Sequence, residues 1–242
     1  MDRSPRATLY CFPHAGGAAG EYARWAAHLP DLRVAAINLP GRAHHLGEQA
    51  HTAMAPLVEA VVREVAFSEP FALFGHSLGA LVAFEVARKL RARGSAPLRL
   101  FVSSCTAPPL PAPRAPLHVL DDRALRAEIE RRWGPLPASV GADDRLLAAA
   151  LACYRADFTV LETYRHVPGE PVDSPITALV GDREVDGAER MTGWREHTAG
   201  PFDLHRRRGG HFHTRDHLDG LCRLLTDAVT TDLIRTDRRT ST

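Results

Sequence analysis

Residues 75–79, with the sequence Gly-His-Ser-Leu-Gly, place a serine in a setting that suits nucleophilic catalysis. An apolar run, residues 71–74, precedes this stretch, and a helix-forming stretch follows it. In a Gly-x-Ser-x-Gly turn a strand passes sharply into a helix and presents the serine hydroxyl above the sheet. The serine backbone is strained there, and the flanking glycines leave room for the crossing strand and helix. The pattern predicts Ser77 as a nucleophile, with an ordinary Gly-rich turn as the alternative.

A second Gly-rich stretch, residues 12–17 (Phe-Pro-His-Ala-Gly-Gly), follows the first predicted strand and precedes a predicted helix. Attack of a serine on a carbonyl group creates an oxyanion that needs two backbone N–H donors. One comes from the residue after the serine, and the other comes from an early strand-to-helix loop. The N–H groups of Leu78 and Ala15 fit these positions. A Gly-rich turn without chemical use is the alternative for residues 12–17.

A histidine base is expected on the loop after the last strand, because the chain order in this type of site is serine, acid, histidine. Residues 202–207 read as a final strand, and Gly209-Gly210-His211 follows it. We therefore predict His211 as the base. A metal site formed by His211, His213, Asp216 and His217 is the competing interpretation. These residues share one short loop and imply no distant ligand, so we expect neither a metal nor a cofactor.

The acid that orients the histidine should follow the strand at residues 176–180. Three carboxylates compete there, those of Asp182, Glu184 and Asp186. Their spacing alone does not choose between them.

The charge balance of the 242-residue chain limits the classes of partner. It contains 30 basic and 29 acidic residues, a formal net charge of +1, which gives no reason to expect nucleic acid or an anionic membrane as partner. No stretch approaches the ~20 apolar residues of a membrane span, and we expect a soluble, cytoplasmic protein. The four cysteines lie far apart without a Cys-x-x-Cys pair, so neither a zinc site nor a disulfide framework is expected.

Short strand-like runs alternate with longer helical ones through most of the chain. This rhythm predicts an α/β fold, in which a mostly parallel sheet is covered by helices on both faces. The predicted strands are 9–12, 34–38, 71–74, 98–103, 176–180 and 202–207. The predicted helices are 21–29, 54–66, 78–93, 121–133, 143–164 and 218–234.

The rhythm breaks after Ser104, where five of the ten residues 107–116 are proline. Two predicted helices then follow before the next strand. We expect residues 107–165 to form a helical lid over the site, since structureless connections beyond ~15 residues are uncommon. A plain crossover helix with a long loop is the alternative. The core would then comprise residues 1–106 and 166–235, and residues 236–242 would form a flexible tail.

Four of these stretches together resemble the type II (editing) thioesterases of polyketide and non-ribosomal peptide assembly lines. They are residues 11–17, Leu-Pro-Gly-Arg at 39–42, residues 74–80, and Gly-Gly-His-Phe at 209–212. The resemblance runs from about Leu9 to Ala228. It implies an α/β-hydrolase fold with a helical lid. It also implies hydrolysis of acyl thioesters from the phosphopantetheine arm of an acyl or peptidyl carrier protein.

In one place the chain departs from that family, which usually has Gly-x-x-Asp-Pro after the strand. Here Glu184-Val185 replaces Asp-Pro. Glutamate serves as the triad acid in some hydrolases, so we expect Glu184 in this role, with Asp182 as the alternative.

Two other functions share these features. One is a carboxylesterase or lipase acting on small oxygen esters, and the other is a non-catalytic binding protein on the same fold. We expect a monomer. Arg206, Arg207 and Arg208 are candidates for docking an acidic carrier protein, although a solvated basic face is the simpler interpretation.

Overall fold

A computed structural model describes residues 4–42, 50–111, 115–185 and 187–240 of the chain. Its centre is one sheet of six strands in the order β2-β1-β3-β4-β5-β6. All five neighbouring pairs are parallel. The strands are β1 (Ala7–Phe12), β2 (Leu32–Ala36), β3 (Phe71–His76), β4 (Leu100–Ser103), β5 (Ile176–Gly181) and β6 (Phe202–Arg207).

Eight helices accompany the sheet in the described part of the chain. They are α1 (Gly20–Ala23), α2 (Met54–Glu64), α3 (Leu78–Arg91), α4 (Asp122–Trp133), α5 (Ala138–Gly141), α6 (Asp144–Thr163), α7 (Gly187–Thr192) and α8 (Leu218–Thr240). Short 3₁₀ helices follow α1 and α7, at Arg24–His28 and Gly193–His197. The fold predicted from the sequence, a parallel sheet with helices on both faces, is confirmed.

Two apolar cores lie on opposite faces of the sheet, because side chains alternate between the faces along a strand. In β1, Tyr10 and Phe12 belong to one core, which also contains side chains of α2, α3 and α6. Leu9 and Cys11 belong to the other, which contains side chains of α8 and the 3₁₀ helix after α1. The central strands β3, β4 and β5 are therefore buried at every position, as expected for a sheet covered on both faces, whereas the edge strand β6 contains exposed polar residues.

The strand register brings four loops to the same edge of the sheet. Ser103, the last residue of β4, pairs with His76, the last residue of β3. Gly181 at the end of β5 pairs with Arg207 at the end of β6. Because the carboxyl ends of parallel strands meet at one edge, the residues that follow these strands lie close together.

The turn between β3 and α3 requires glycine on both sides of Ser77. A methyl group at Gly75 would lie 2.2 Å from the carbonyl oxygen of Gly79, and one at Gly79 would lie 2.2 Å from that of Phe12. In both cases the obstructing atom belongs to the backbone, which cannot move aside as a flexible side chain can. The glycine spacing that identified the turn in the sequence is thus a steric requirement of the crossing strand and helix.

The helical insertion, residues 107–165, connects β4 to β5 and consists of α4, α5 and α6 in its described part. Both long helices begin at aspartate N-caps, since Asp121 accepts from Ala124 N–H and Asp143 from Arg145 N–H. Buried side chains of α4 and α6 belong to the same apolar core as β3 and α3. The insertion therefore packs onto the sheet domain, and α5 is an element that the sequence analysis did not predict.

Two predicted elements differ from the structure. The helix expected at 21–29 is one α-helical turn followed by a 3₁₀ helix. The segment expected to be a flexible tail continues α8 as far as Thr240, because each added residue of an existing helix gains a backbone hydrogen bond. Residues 241–242 lie outside the described residues. Within the described ranges, no helix combines the length and apolar character needed to cross a bilayer.

Candidate active site

Ser77 lies on the strained turn between β3 and α3. Its backbone has φ 54° and ψ −122°, a conformation that non-glycine residues rarely adopt. The Ser77 N–H donates to the carbonyl oxygen of Ser103 at 2.8 Å, which fastens the turn to the end of β4. Ser77 is partly exposed, whereas His76 and Leu78 on either side are buried. The turn therefore exposes part of Ser77 and buries the residues on either side of it.

The two predicted oxyanion donors lie at the ends of neighbouring elements. Leu78 is the first residue of α3, so its N–H is one of the donors that a helix leaves without an intrahelical partner. Ala15 lies in the loop between β1 and α1 and lines the same cavity as Ser77. In this loop, residues 14–17, which we call the oxyanion loop, the Gly17 N–H donates to the His14 carbonyl at 2.8 Å.

His211 and Glu184 are brought together from two different loops. Nδ1 of His211 lies 3.3 Å from Oε2 of Glu184. The other carboxylate oxygen, Oε1, accepts from Ser104 Oγ at 2.5 Å and from the Gly181 N–H at 3.1 Å. Burial raises the pKa of Glu184, but the hydrogen bonds from His211, Ser104 and Gly181 outweigh it, and the pKa is lowered overall. Glu184 is thus an ionised carboxylate facing the imidazole.

Asp182 takes a different position. Its Oδ1 accepts from the Gly209 N–H at 2.9 Å, and its own N–H donates to the Arg207 carbonyl at 2.7 Å. These contacts hold the loop that carries His211. Of the two carboxylates expected in the acid role, Glu184 is the one that the structure places at the His211 ring. Asp186 lies outside the described residues.

Ser104 is a residue of this site that the sequence analysis missed. It follows β4 with φ 49°, another strained non-glycine conformation. Its Oγ contacts both Oε1 of Glu184, at 2.5 Å, and the carbonyl oxygen of His211, at 3.2 Å. Ser104 therefore connects the acid to the loop of the histidine. The sequence feature that could have identified Ser104 is the polar pair Ser103-Ser104 at the end of a predicted strand.

A row of hydrogen-bonded polar side chains lies buried beneath Ser77. Nδ1 of His76 lies 2.9 Å from Ser103 Oγ, which lies 3.1 Å from Nε2 of His213. Burial lowers the pKa of His213 to about 4, and it lowers the pKa of His76 well below its ordinary value. Burial also lowers the pKa of His14 to about 4. The negative charge of Glu21 nearby raises this pKa and the positive charge of Arg215 lowers it, and burial has the largest effect. These histidines are neutral in the folded protein.

We expect the buried histidines to make the protein less stable in mild acid. In the unfolded chain each takes up a proton near pH 6.5, whereas in the fold His14 and His213 stay neutral down to about pH 4. Between these values the unfolded state binds more protons, so stability falls as the pH falls. From about pH 7.5 to about pH 5.5 the free energy of unfolding should decrease by on the order of 1 kcal/mol per histidine, measured by urea denaturation.

His213→Gln is the matched variant for this pH dependence. It removes one titrating group, so the difference in unfolding free energy between the two pH values should shrink by about 1 kcal/mol. Asp157, whose pKa burial raises, acts in the opposite direction and is unchanged in the variant. The same pH difference in the variant and the unsubstituted protein would contradict this assignment.

A cavity of about 580 Å³ lies between the sheet edge and the helical insertion. Ser77, His211 and Ala15 line one side. The insertion supplies an apolar wall that includes Leu117, Ile129, Trp133, Leu136, Val140, Phe158 and Leu161. The rings of Trp133 and Phe158 stack with centroids 5.6 Å apart, and the Trp133 ring lies 6.2 Å from that of His211. The cavity suits an apolar chain whose reacting end lies at Ser77.

A second cavity is lined by none of the expected catalytic residues. A groove of about 940 Å³ lies beside α2, α3 and the end of α6, away from Ser77. Among the docking candidates, Arg206 and Arg208 are exposed, whereas Arg207 is partly buried and donates to the His217 carbonyl. Among the residues that the structure describes, no group of three or more histidine, cysteine, aspartate or glutamate side chains is arranged to hold a metal ion.

Comparison with known proteins identifies a family. The model of the thioesterase domain family matches residues 7–229. The chain is 40% identical over 228 residues to the thioesterase PikA5 of Streptomyces venezuelae, which covers 90% of this chain and 79% of that protein. It is 34% identical over 218 residues to the gramicidin S biosynthesis protein GrsT of Aneurinibacillus migulanus, covering 88% of this chain and 84% of GrsT.

Solved structures show the same similarity. The RedJ thioesterase from the prodiginine biosynthetic pathway of Streptomyces coelicolor superposes with a TM-score of 0.84 at 36% identity, covering 93% of this chain and 91% of RedJ. The type II thioesterase BorB from the borrelidin biosynthetic cluster superposes with a TM-score of 0.83 at 36% identity, covering 95% of both chains.

Proposed function

Because the chain belongs to the thioesterase domain family, we propose that it is a type II, editing thioesterase. It would hydrolyse acyl thioesters from the phosphopantetheine arm of carrier proteins in polyketide or non-ribosomal peptide synthesis. One observation carries this proposal: Ser77, His211 and the oxyanion loop share one cavity, to which the helical insertion contributes mostly apolar side chains. Such a cavity accommodates an acyl chain and brings its carbonyl carbon to the serine.

The reaction follows from the arrangement of these groups. His211 takes the proton of Ser77 as Oγ attacks the thioester carbonyl, and the N–H groups of Leu78 and Ala15 receive the negative charge on its oxygen. The C–S bond then breaks, and the departing thiol takes the proton from His211. Water then attacks the acyl-serine as His211 takes one of its protons, and the ester bond breaks as His211 gives that proton to Ser77 Oγ, which releases the carboxylic acid.

We assign Glu184 as the acid of this mechanism. A carboxylate at Nδ1 of the histidine fixes the tautomer with a free Nε2 and stabilises the imidazolium that forms when Ser77 attacks. Three hydrogen bonds hold Glu184 ionised, those from His211, Ser104 and Gly181. Asp182 supports the backbone of the histidine loop through Gly209 instead.

Hydrolysis rates for three substrates test this proposal. The same acyl group is presented on a carrier protein, on a pantetheine analogue and as a nitrophenyl ester. A carrier-directed thioesterase should give the highest kcat/KM with the acyl-carrier protein. Preference for the nitrophenyl ester would identify a carboxylesterase or lipase, and no turnover of any substrate would identify a non-catalytic binding protein.

We further propose that the helical insertion is a lid that opens to admit the acyl arm. Lids come from the less stable parts of a structure, so the backbone amides of α4 and α6 should exchange with deuterium faster than those of β3, β4 and β5. Hydrogen exchange followed by mass spectrometry checks this prediction. Equal protection of the insertion and the central strands would count against gating.

A further inference from the structure

Asp157 of α6 is hydrogen-bonded to the oxyanion loop. Its side chain is 4% exposed. Oδ2 accepts from the Gly16 N–H at 2.7 Å, and Oδ1 accepts from Nη2 of Arg42 at 2.5 Å. The residue next to the predicted donor Ala15 is therefore bonded to a buried carboxylate of the helical insertion.

Arg42 completes this contact from a third part of the chain. Its side chain is 7% exposed, and its Nη1 donates to the Gly17 carbonyl at 2.8 Å. The Gly16 N–H and the Gly17 carbonyl are thus both bound by one buried ion pair. A charged pair that is hydrogen-bonded on both sides fixes the direction of the peptide groups between its members.

A second contact from α6 fixes the same loop. Gly16 has φ +69°, and a methyl group there would lie 2.2 Å from the ring of Tyr154. Tyr154 lies three residues before Asp157, so both side chains project from one face of α6. Phe158, the next residue on that helix, lines the cavity. One helix face therefore packs on the oxyanion loop and forms part of the cavity wall.

Building on the proposed function, we propose that Asp157 is a positioning residue for the oxyanion hole. By holding Gly16 it directs the Ala15 N–H toward the carbonyl oxygen of the acyl group. Asp157 itself does not contribute to the cavity wall formed by the described residues. The oxyanion hole then has its correct geometry only when α6 packs on the core. Attack by Ser77 is therefore efficient only when the insertion is closed.

The test is Asp157→Asn, which keeps the size of the side chain and removes its charge. In Asp157 the two carboxylate oxygens accept separately from Gly16 and Arg42, whereas an asparagine amide replaces one of these oxygens with an NH2 donor, so one of the two hydrogen bonds is lost. Removal of an oxyanion donor typically lowers kcat by about 10²–10³-fold, and a misdirected donor should cost less. We expect kcat for the acyl thioester to fall by about 10–100-fold, with KM unchanged within about twofold.

A trifluoromethyl ketone with the same acyl chain provides a readout that general destabilisation would not change. Its carbonyl carbon bonds to Ser77 Oγ, His211 takes the serine proton, and the oxyanion occupies the hole. Its inhibition constant should rise in D157N by the same factor as kcat falls. Inhibition by the corresponding carboxylic acid, a product that forms no such adduct, should stay the same.

Tyr164→Phe is the matched control. Tyr164 follows α6, and its hydroxyl donates to Glu85 of α3 at 2.6 Å. The variant therefore removes a hydrogen bond between the insertion and the core without touching the oxyanion loop. It should keep both kcat and the affinity for the trifluoromethyl ketone. A D157N variant that behaves like Y164F, or one that loses kcat without losing ketone affinity, would overturn the inference.

D157N leaves the charge of Arg42 buried without its partner, which destabilises the fold. If D157N does not fold, the double variant R42M/D157N, which removes both charges, is tested in its place. It should show the same loss of kcat and of ketone affinity. Failure of both variants to fold would overturn the inference, since Asp157 would then be structural only. Failure of the proposed function has a different result: the unsubstituted protein would neither hydrolyse the thioester nor bind the ketone.

Discussion

Replacing Ser77 with alanine is expected to lower kcat for an acyl thioester by on the order of 10⁶-fold, as loss of the nucleophile does in serine hydrolases. The hydroxyl is the acceptor of the acyl group in the proposed mechanism, and alanine offers no other nucleophile. Steady-state hydrolysis of an acyl-carrier substrate measures this effect. Full residual activity would remove Ser77 from the mechanism.

The fold should survive this substitution. Ser77 is partly exposed, and the bond that fastens its turn, from its N–H to the Ser103 carbonyl, involves only the backbone. Alanine must adopt the same φ of 54° that serine adopts, so the strain is similar. The free energy of unfolding should change by less than about 1 kcal/mol, measured by urea denaturation alongside the kinetics.

The second large effect is expected at the acid. Glu184→Gln should lower kcat by about 10³–10⁴-fold, because neutralising a triad acid favours the wrong histidine tautomer and removes the charge that stabilises the imidazolium. Glutamine keeps the length of the side chain and can still accept from Ser104 and Gly181. The loss should therefore appear in kcat and leave the fold unchanged.

Asp182→Asn is the matched control for this substitution. The asparagine oxygen can still accept from the Gly209 N–H, so the loop that carries His211 should keep its conformation and kcat should be unchanged. A large loss in Asp182→Asn with a small one in Glu184→Gln would transfer the acid role to Asp182. Two mild losses would mean that Ser77 and His211 act without a dedicated acid.

The serine turn and the sheet were predictable because their causes are local. Positions 75 and 79 must be glycine because backbone atoms a few residues away or in the adjacent strand leave no room for a side chain. Apolar runs separated by amphipathic helices predict a parallel sheet. The position of His211 followed from chain order. The structure adds its contact with Glu184, which the sequence could only rank above Asp182, because loop packing decides which of two nearby carboxylates reaches a ring.

Other features depend on contacts between distant parts of the chain. Gly16 and Asp157 are 141 residues apart in sequence, and no local pattern indicates that one binds the other. Helix α5 is four residues long, too short to show a helical period. The polar composition after Thr236 suggested a flexible tail, yet the helix that begins at Leu218 extends to Thr240.

In the proposed mechanism the protein transfers an acyl group from a carrier thioester to Ser77 and then to water. Intact-protein mass spectrometry of an equimolar mixture with an acyl-carrier protein tests it most directly. The carrier should lose the acyl mass and return to the free thiol, and a transient acyl adduct on this protein should map to Ser77. A carrier that keeps its acyl group, while the same sample hydrolyses a nitrophenyl ester, would show that the protein is not a carrier-directed thioesterase.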